Sequence, residues 1–175
     1  MMKLPHLVLI GLPGSGKSTL GRALLQLLPQ YQFIDTDTEI EKRLGKTVPS
    51  IFEEDGEASF RLKEQEVIRD LLLSDVPLIV ATGGGLPCFH HNMDFINEKA
   101  ISIYINPDDT ELTRRLQNSN RSQRPMLLNK SDEEILKFVQ AKRQERETYY
   151  KLARITLSGN NLKAQDIFTS IGALN

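Results

Sequence analysis

The run Gly11-Leu12-Pro13-Gly14-Ser15-Gly16-Lys17-Ser18-Thr19 constrains this chain more than any other stretch. It fits G-x-x-x-x-G-K-[ST], and its setting fits as well: His6-Leu7-Val8-Leu9-Ile10 before it reads as a buried strand, and Lys17 to Leu28 after it reads as a helix. The glycines let the backbone curl until successive N–H groups face one centre. The helix start adds unpaired N–H groups and partial positive charge. Lys17 can reach the outer phosphates of a nucleoside triphosphate, and the Ser18 hydroxyl can hold Mg²⁺. Gly14, Ser15, Gly16, Lys17, Ser18 and Thr19 are therefore the expected nucleotide-binding residues. The competing reading is a plain glycine-rich turn between strand and helix. The loop leaves open what receives the phosphate.

The rest of the chain alternates short apolar runs with longer amphipathic ones. Leu7–Ile10, Phe33–Ile34, Leu78–Ala81, Ile101–Ile105 and Ile155–Leu157 read as strands. Lys17–Leu28, Asp37–Leu44, Glu57–Leu73, Asp108–Leu116, Ser131–Leu152 and Leu162–Leu174 read as helices, with Ser131 and Glu134 spaced as a capping box. This alternation predicts a parallel sheet covered on both faces, an α/β protein of three layers, αβα. At 175 residues, with no repeat and no linker, residues 1–175 are expected to form one domain. A net charge of −1 gives no basis for a nucleic-acid surface, and no apolar run approaches membrane-spanning length. The direct entry into the first strand and the single cysteine, Cys88, point to a cytoplasmic protein without a disulfide framework.

Ligands of such sheets lie beyond the carboxyl ends of the strands, so those ends carry the next clues. Asp35-Thr36-Asp37 follows the second strand. One carboxylate could support Mg²⁺ and the other could accept a proton from a hydroxyl. Alternatively, Asp37 merely caps the helix Thr38–Leu44. The third strand ends in Thr82-Gly83-Gly84-Gly85 without an acid, which makes Asp35 the candidate for the metal's second carboxylate. Arg61, four residues after Glu57, reads alone as a solvated helix pair. The polar stretch Gln117–Gln123, followed by Arg124-Pro125, reads as a lid over about residues 117–128, and Arg124 could stabilise charge on a transferring phosphoryl group. Asn129-Lys130-Ser131-Asp132 spells a guanine-reading signature, but no Asp-x-x-Gly accompanies it and it precedes a capped helix. His6, His90 and His91 lack partners at zinc-like spacing.

Taken together, these segments resemble the shikimate kinases from Gly11 to about Ala153. The resemblance rests on G-L-P-G-S-G-K-S-T, D-T-D at Asp35–Asp37, I-F-E-E-D-G-E-A-S-F-R at Ile51–Arg61, A-T-G-G-G at Ala81–Gly85 and R-P-M-L-L at Arg124–Leu128. It implies the nucleoside-monophosphate-kinase-like P-loop kinase fold, with a five-stranded parallel sheet, a lid loop and an acceptor-binding segment over about residues 37–64. It implies transfer of the γ-phosphoryl of ATP to the 3-hydroxyl of shikimate, with Mg²⁺ as cofactor. Asp37 matches the carboxylate on the substrate hydroxyls, and Asp35 the acid near the metal. Arg61 matches an arginine on the substrate carboxylate, Gly83, Gly84 and Gly85 the backbone beside the substrate, and Arg124 the lid arginine. Lys17, Asp37 and Arg124 are thus the catalytic candidates. Arg146 resembles the second carboxylate-binding arginine, with Arg143 as its rival. Because the lid is longer than the family's usual one, either Arg115 or Arg114 matches the arginine at the adenine. The expected partners are ATP and shikimate, with neither nucleic acid nor membrane, for a monomer. A related small-molecule kinase, such as one for gluconate, and a nucleotide-binding module without turnover remain the competing readings.

Overall fold

Strand β1 (His6–Ile10) is apolar along its whole length, and every residue of it is buried. In the computed structural model, which describes residues 4–119, 127 and 129–174, it lies at the centre of a five-stranded sheet. The other strands are β2 (Gln32–Asp35), β3 (Leu78–Ala81), β4 (Ala100–Asn106) and β5 (Ile155–Ser158), in the order β2-β3-β1-β4-β5, and all pairings are parallel. A parallel sheet needs both faces covered, and alternation along β1 divides its side chains between two cores. Val8 and Ile10 pack with residues of α3 (Val48–Leu72), α4 (Asn92–Lys99), α5 (Asp109–Gln117) and α6 (Asp132–Tyr150). Leu7 and Leu9 pack with α1 (Lys17–Leu24) and α7 (Ala164–Gly172). These are the three layers expected from the alternation. Helix α2 (Thr36–Leu44) packs with α3 over a smaller cluster built on Ile40, Ile51, Phe60 and Val67.

Local chemistry sets most helix ends. Ser131 and Glu134 form the expected capping box at α6, and Asp108 caps α5 by accepting from the Glu111 N–H at 2.8 Å. Helix α1 stops at Leu24, short of the expected Leu28. Helix α4 was not anticipated. It is only eight residues long and starts from His91 in the left-handed region with no side-chain cap, so it carries no start signal that a sequence reading can use. Helix α3 begins earlier than the expected Glu57 but is interrupted there: Gly56 has φ 79° and ψ 166°, a conformation essentially confined to glycine. The interruption sends a fresh helical arm from Glu57 toward the carboxyl end of the sheet, and that arm carries Arg61. Among the described residues, no helix is long and apolar enough to cross a membrane.

Candidate active site

The carboxyl ends of β1, β2 and β3 bring the phosphate loop, Asp35-Thr36-Asp37 and Thr82–Gly85 to one edge of the sheet. In the loop, Gly11, Gly14 and Gly16 all have positive φ, the backbone that glycine permits without strain. Helix α1 starts from Gly16 with no side-chain cap and no acidic residue in its first turn, so its first N–H groups are left for an anion. The Lys17 ammonium donates to the carbonyls of Gly11 (2.8 Å) and Leu12 (2.9 Å) and to the Ser15 hydroxyl (3.3 Å), which keeps it folded over the loop. Thr19 is exposed on α1.

Ser18 Oγ donates to Asp35 Oδ2 at 2.6 Å. Two hard oxygens from α1 and β2 thus stand together beside the phosphate loop. That set suits Mg²⁺, which keeps few protein ligands and takes the rest from phosphate and water. Asp35 Oδ1 accepts from the N–H groups of Asp37 and Thr38, so Asp35 is the cap of α2. The reading of Asp37 as the cap is corrected accordingly. Asp37 lies inside the first turn, its carboxylate released from capping.

On the far side of the loop, Arg115 donates to Glu111 (2.6 Å), to the Ser15 carbonyl (3.1 Å) and to the Asn160 carbonyl (2.7 Å). Arg114 is exposed and its described hydrogen bonds go to Glu111 alone. Of the two rivals, Arg115 is the one that reaches the Gly11–Thr19 loop. Arg124, expected over the reacting centre, lies outside the described residues, as does most of the segment 117–128.

The other half of the cleft surrounds the glycine turn. Gly83 N donates to Thr36 Oγ1 at 2.9 Å, which docks the turn on α2. A Cβ on Gly83 would stand 2.7 Å from Asp37 Oδ1 and 2.9 Å from Glu64 Oε1. A Cβ on Gly84 would stand 3.1 Å from Arg146 Nη1, and one on Gly85 2.7 Å from Arg61 Cζ. Only a turn without side chains lets these four groups close around it. Asp37 Oδ1, Glu64 Oε1 and Arg146 Nε are all sealed from solvent and make no hydrogen bond among the described residues. Buried polar atoms are seldom left so, and three beside one turn could serve a ligand rich in hydrogen-bonding groups.

Arg61 is buried, which corrects its reading as a solvated pair. It does reach Glu57 (Nε 3.2 Å, Nη2 3.0 Å), but Nη1 also donates to the buried Glu64 at 2.6 Å. These bonds engage three of the five guanidinium N–H groups and leave one on each terminal nitrogen, the fork that suits a carboxylate. The Phe89 ring lies 4.5 Å below the guanidinium. Glu64 escaped the sequence reading because an acid three residues after an arginine on a helix looks like an ordinary surface pair. Only its burial separates it from that class.

Burial pushes the Asp37 carboxyl up to about 6; the neighbouring Asp35 adds to this and Lys17 opposes it. Burial likewise pushes Glu64 up to about 7, against the pull of Arg61 and with a further push from Asp37. Arg143 and Arg146 prove unlike. Arg143 uses four of its five guanidinium N–H groups at the end of β4, on Asp109, Tyr104, Asn106 and Pro107. Arg146 faces Gly84, and its Nε has only the Glu145 carboxylate at 3.5 Å. Tyr150, one turn on, donates to the Gly84 carbonyl at 2.5 Å and holds the turn against α6.

Comparison with known proteins shows the family. A family model described as "Shikimate kinase" matches residues 13–174. A shikimate kinase of Azobacteroides pseudotrichonymphae is 36% identical over 166 residues, covering 95% of this chain and 96% of that protein. The crystal structure of shikimate kinase from Bacteroides thetaiotaomicron superposes with a TM-score of 0.87 at 34% identity, covering 97% of this chain and 96% of that one. Shikimate kinase from Acinetobacter baumannii in complex with shikimate gives 0.81 at 35% identity, covering 98% and 92%.

Proposed function

The chain belongs to the shikimate kinase family and is an ATP-dependent phosphotransferase that forms shikimate 3-phosphate, and we propose that its cleft divides into a nucleotide half and an acceptor half meeting at Asp37. The observation that carries this division is the set of buried polar atoms without a hydrogen bond, Asp37 Oδ1, Glu64 Oε1 and Arg146 Nε, gathered at the glycine turn. Shikimate, with one carboxylate and three hydroxyls, supplies complementary groups. Its carboxylate meets Arg61 and Arg146, its ring lies along Gly83, Gly84 and Gly85, and its reacting hydroxyl faces Asp37.

In the nucleotide half, the N–H groups of Gly14, Ser15, Gly16, Lys17, Ser18 and Thr19 cradle the phosphates, with Lys17 turning from the loop carbonyls to the outer phosphates. Arg115 borders the adenine. Ser18 and Asp35 fit Mg²⁺ as ligands, directly or through water. Held by Ser18 and Asp35, Mg²⁺ would supply positive charge to offset the negative charge of the triphosphate. Asp37 orients the 3-hydroxyl and accepts its proton as the oxygen bonds to the γ-phosphorus and the bond to the β-γ bridging oxygen breaks. Lys17 and Arg124 stabilise the charge on the transferring group. Glu64 holds Arg61 in register for the acceptor. We read the chain as a monomeric single-domain enzyme of the cytoplasm, with residues 37–64 facing the acceptor; the lid expected over residues 117–128 lies mostly outside the described residues.

A coupled assay of ADP release, with shikimate, gluconate and nucleoside monophosphates offered in turn, tests the choice of acceptor. Release that depends on shikimate is expected. Release with gluconate or a nucleoside monophosphate and none with shikimate would overturn the reading.

A further inference from the structure

Arg143 sits three residues before Arg146 on α6, on the same side of the helix, yet it serves another end of the cleft. Its Nε donates to Asp109 Oδ1 at 2.6 Å, Nη1 to Asn106 Oδ1 at 2.5 Å and Tyr104 Oη at 3.1 Å, and Nη2 to the Pro107 carbonyl at 2.7 Å. The guanidinium therefore grips Pro107 and Asp109, the residues on either side of Asp108.

Asp108 is the next link. It caps α5 through the Glu111 N–H, its Oδ2 accepts from Asn160 Nδ2 at 2.6 Å, and its own N–H donates to Asn160 Oδ1 at 3.0 Å. Asn160 lies just beyond β5, and its carbonyl receives Arg115 Nη2 at 2.7 Å. Arg115 in turn donates to the Ser15 carbonyl of the phosphate loop at 3.1 Å. The start of α5 is thus held from one side by Arg143 and itself holds the Asn160–Arg115 bridge over the loop.

We infer that Arg143 is a positioning residue for the nucleotide half: it fixes the β4–α5 corner, and through Asp108 and Asn160 it sets where Arg115 meets the nucleotide. Arg143 does not touch either substrate in this account. Its removal leaves the acceptor half standing, because Tyr104 keeps its place on β4 and its own bond to Asn106 at 3.0 Å, and Tyr150 keeps Gly84. Charge alone does not suffice for the role. Four bonds in a planar fan to a carboxylate, an amide oxygen, a phenol and a carbonyl need a guanidinium, and a lysine ammonium satisfies only part of the set.

The inference rests on the assignment of the two halves given above, and its test is independent of turnover. ADP and shikimate are titrated separately by calorimetry into the full chain, unaltered and carrying Arg143→Met, Arg143→Lys or Asp109→Asn. Arg143→Met is expected to weaken ADP about tenfold, the cost of one lost positioning contact, with shikimate affinity unchanged. Arg143→Lys should fall between it and the parent, and Asp109→Asn, which keeps the shape of the corner, should shift ADP in the same direction. In turnover, KM for ATP rises and KM for shikimate stays. Equal weakening of both ligands would mean a merely structural role and overturn the inference. So would unchanged ADP affinity, or weakened shikimate alone, which would make Arg143 the carboxylate ligand. Should ADP shift as expected in a protein that does not phosphorylate shikimate, the acceptor assignment fails and the inference stands.

Discussion

Asp37 Oδ1 and Glu64 Oε1 meet across Gly83, the first 2.7 Å and the second 2.9 Å from the point where a Cβ on that residue would stand, each buried and without a hydrogen-bond partner. Two carboxyls in one dry site resist ionising together, so they titrate as a pair. On the proposed reading of the cleft, hydroxyls of the acceptor would relieve this by donating to the pair.

The first consequence is a pH dependence of turnover. Asp37 must be ionised to accept a proton, and burial has moved its carboxyl up to about 6. A plot of log kcat/KM for shikimate against pH is expected to fall on the acid side with an apparent pKa near that value. Asp37→Asn should lower kcat by roughly 10²-fold or more and flatten that limb. An unchanged rate would remove Asp37 from the role of base.

A second consequence concerns stability. Unfolded carboxyls titrate at about 4, whereas Asp37 and Glu64 are raised to about 6 and about 7 in the folded protein. The folded state therefore holds these protons more tightly than the unfolded state. Their contribution is complete below about pH 4 and is lost as pH rises toward 7. Thermal melts of the substrate-free protein should show a smaller decline from pH 5 to pH 7 in Asp37→Asn and Glu64→Gln than in the parent. The same slope in all three would contradict the shared burial.

Gly83→Ala probes the opening between the two carboxyls directly. Its methyl group would meet both acidic oxygens and push them from the acceptor site. Displacements of that size are worth about 10²-fold in rate. Shikimate binding should weaken at least about tenfold while ADP binding is retained, as two calorimetric titrations would establish.

Much of this was legible in the chain before any coordinates, and the limits of that reading have physical causes. The phosphate loop announces itself because few backbones need glycine and lysine at those positions, and the strands because burial on both faces leaves them continuously apolar, as in Leu7–Ile10. Asp35 and Asp37 stood out as a pair, but which one caps α2 depends on the angle at which β2 enters the helix. Glu64 was hidden because it lies at helical spacing from a residue of opposite charge, the pattern of a solvated surface, and only its burial makes it an anchor. Arg143 stood out as the rival of Arg146, but spacing alone does not show that its bonds go to the end of β4 and the start of α5. Helix α4 was missed because His91 starts it without a cap.

Asp35 joins two duties that substitution can separate. It caps α2 and it receives Ser18 Oγ at 2.6 Å. Asparagine caps a helix as well as aspartate does, whereas alanine costs about 1 kcal/mol. Asp35→Asn is expected to keep the parent's melting temperature but to need more Mg²⁺ for half-maximal rate. Asp35→Ala should show both defects. A loss of stability in Asp35→Asn equal to that in Asp35→Ala would tie the cap to the charge rather than to the geometry.

In the proposed cleft the hydroxyl facing Asp37 is the 3-hydroxyl of shikimate, with the carboxylate held at Arg61 and Arg146. The most direct measurement is nuclear magnetic resonance, by ³¹P and ¹H, of the product formed from ATP, Mg²⁺ and shikimate. One product is expected, with phosphorus coupled to the proton on carbon 3, and its loss in Arg61→Ala with ADP binding intact. Phosphate on another hydroxyl, or no phosphorylated shikimate from the folded parent enzyme, would contradict it.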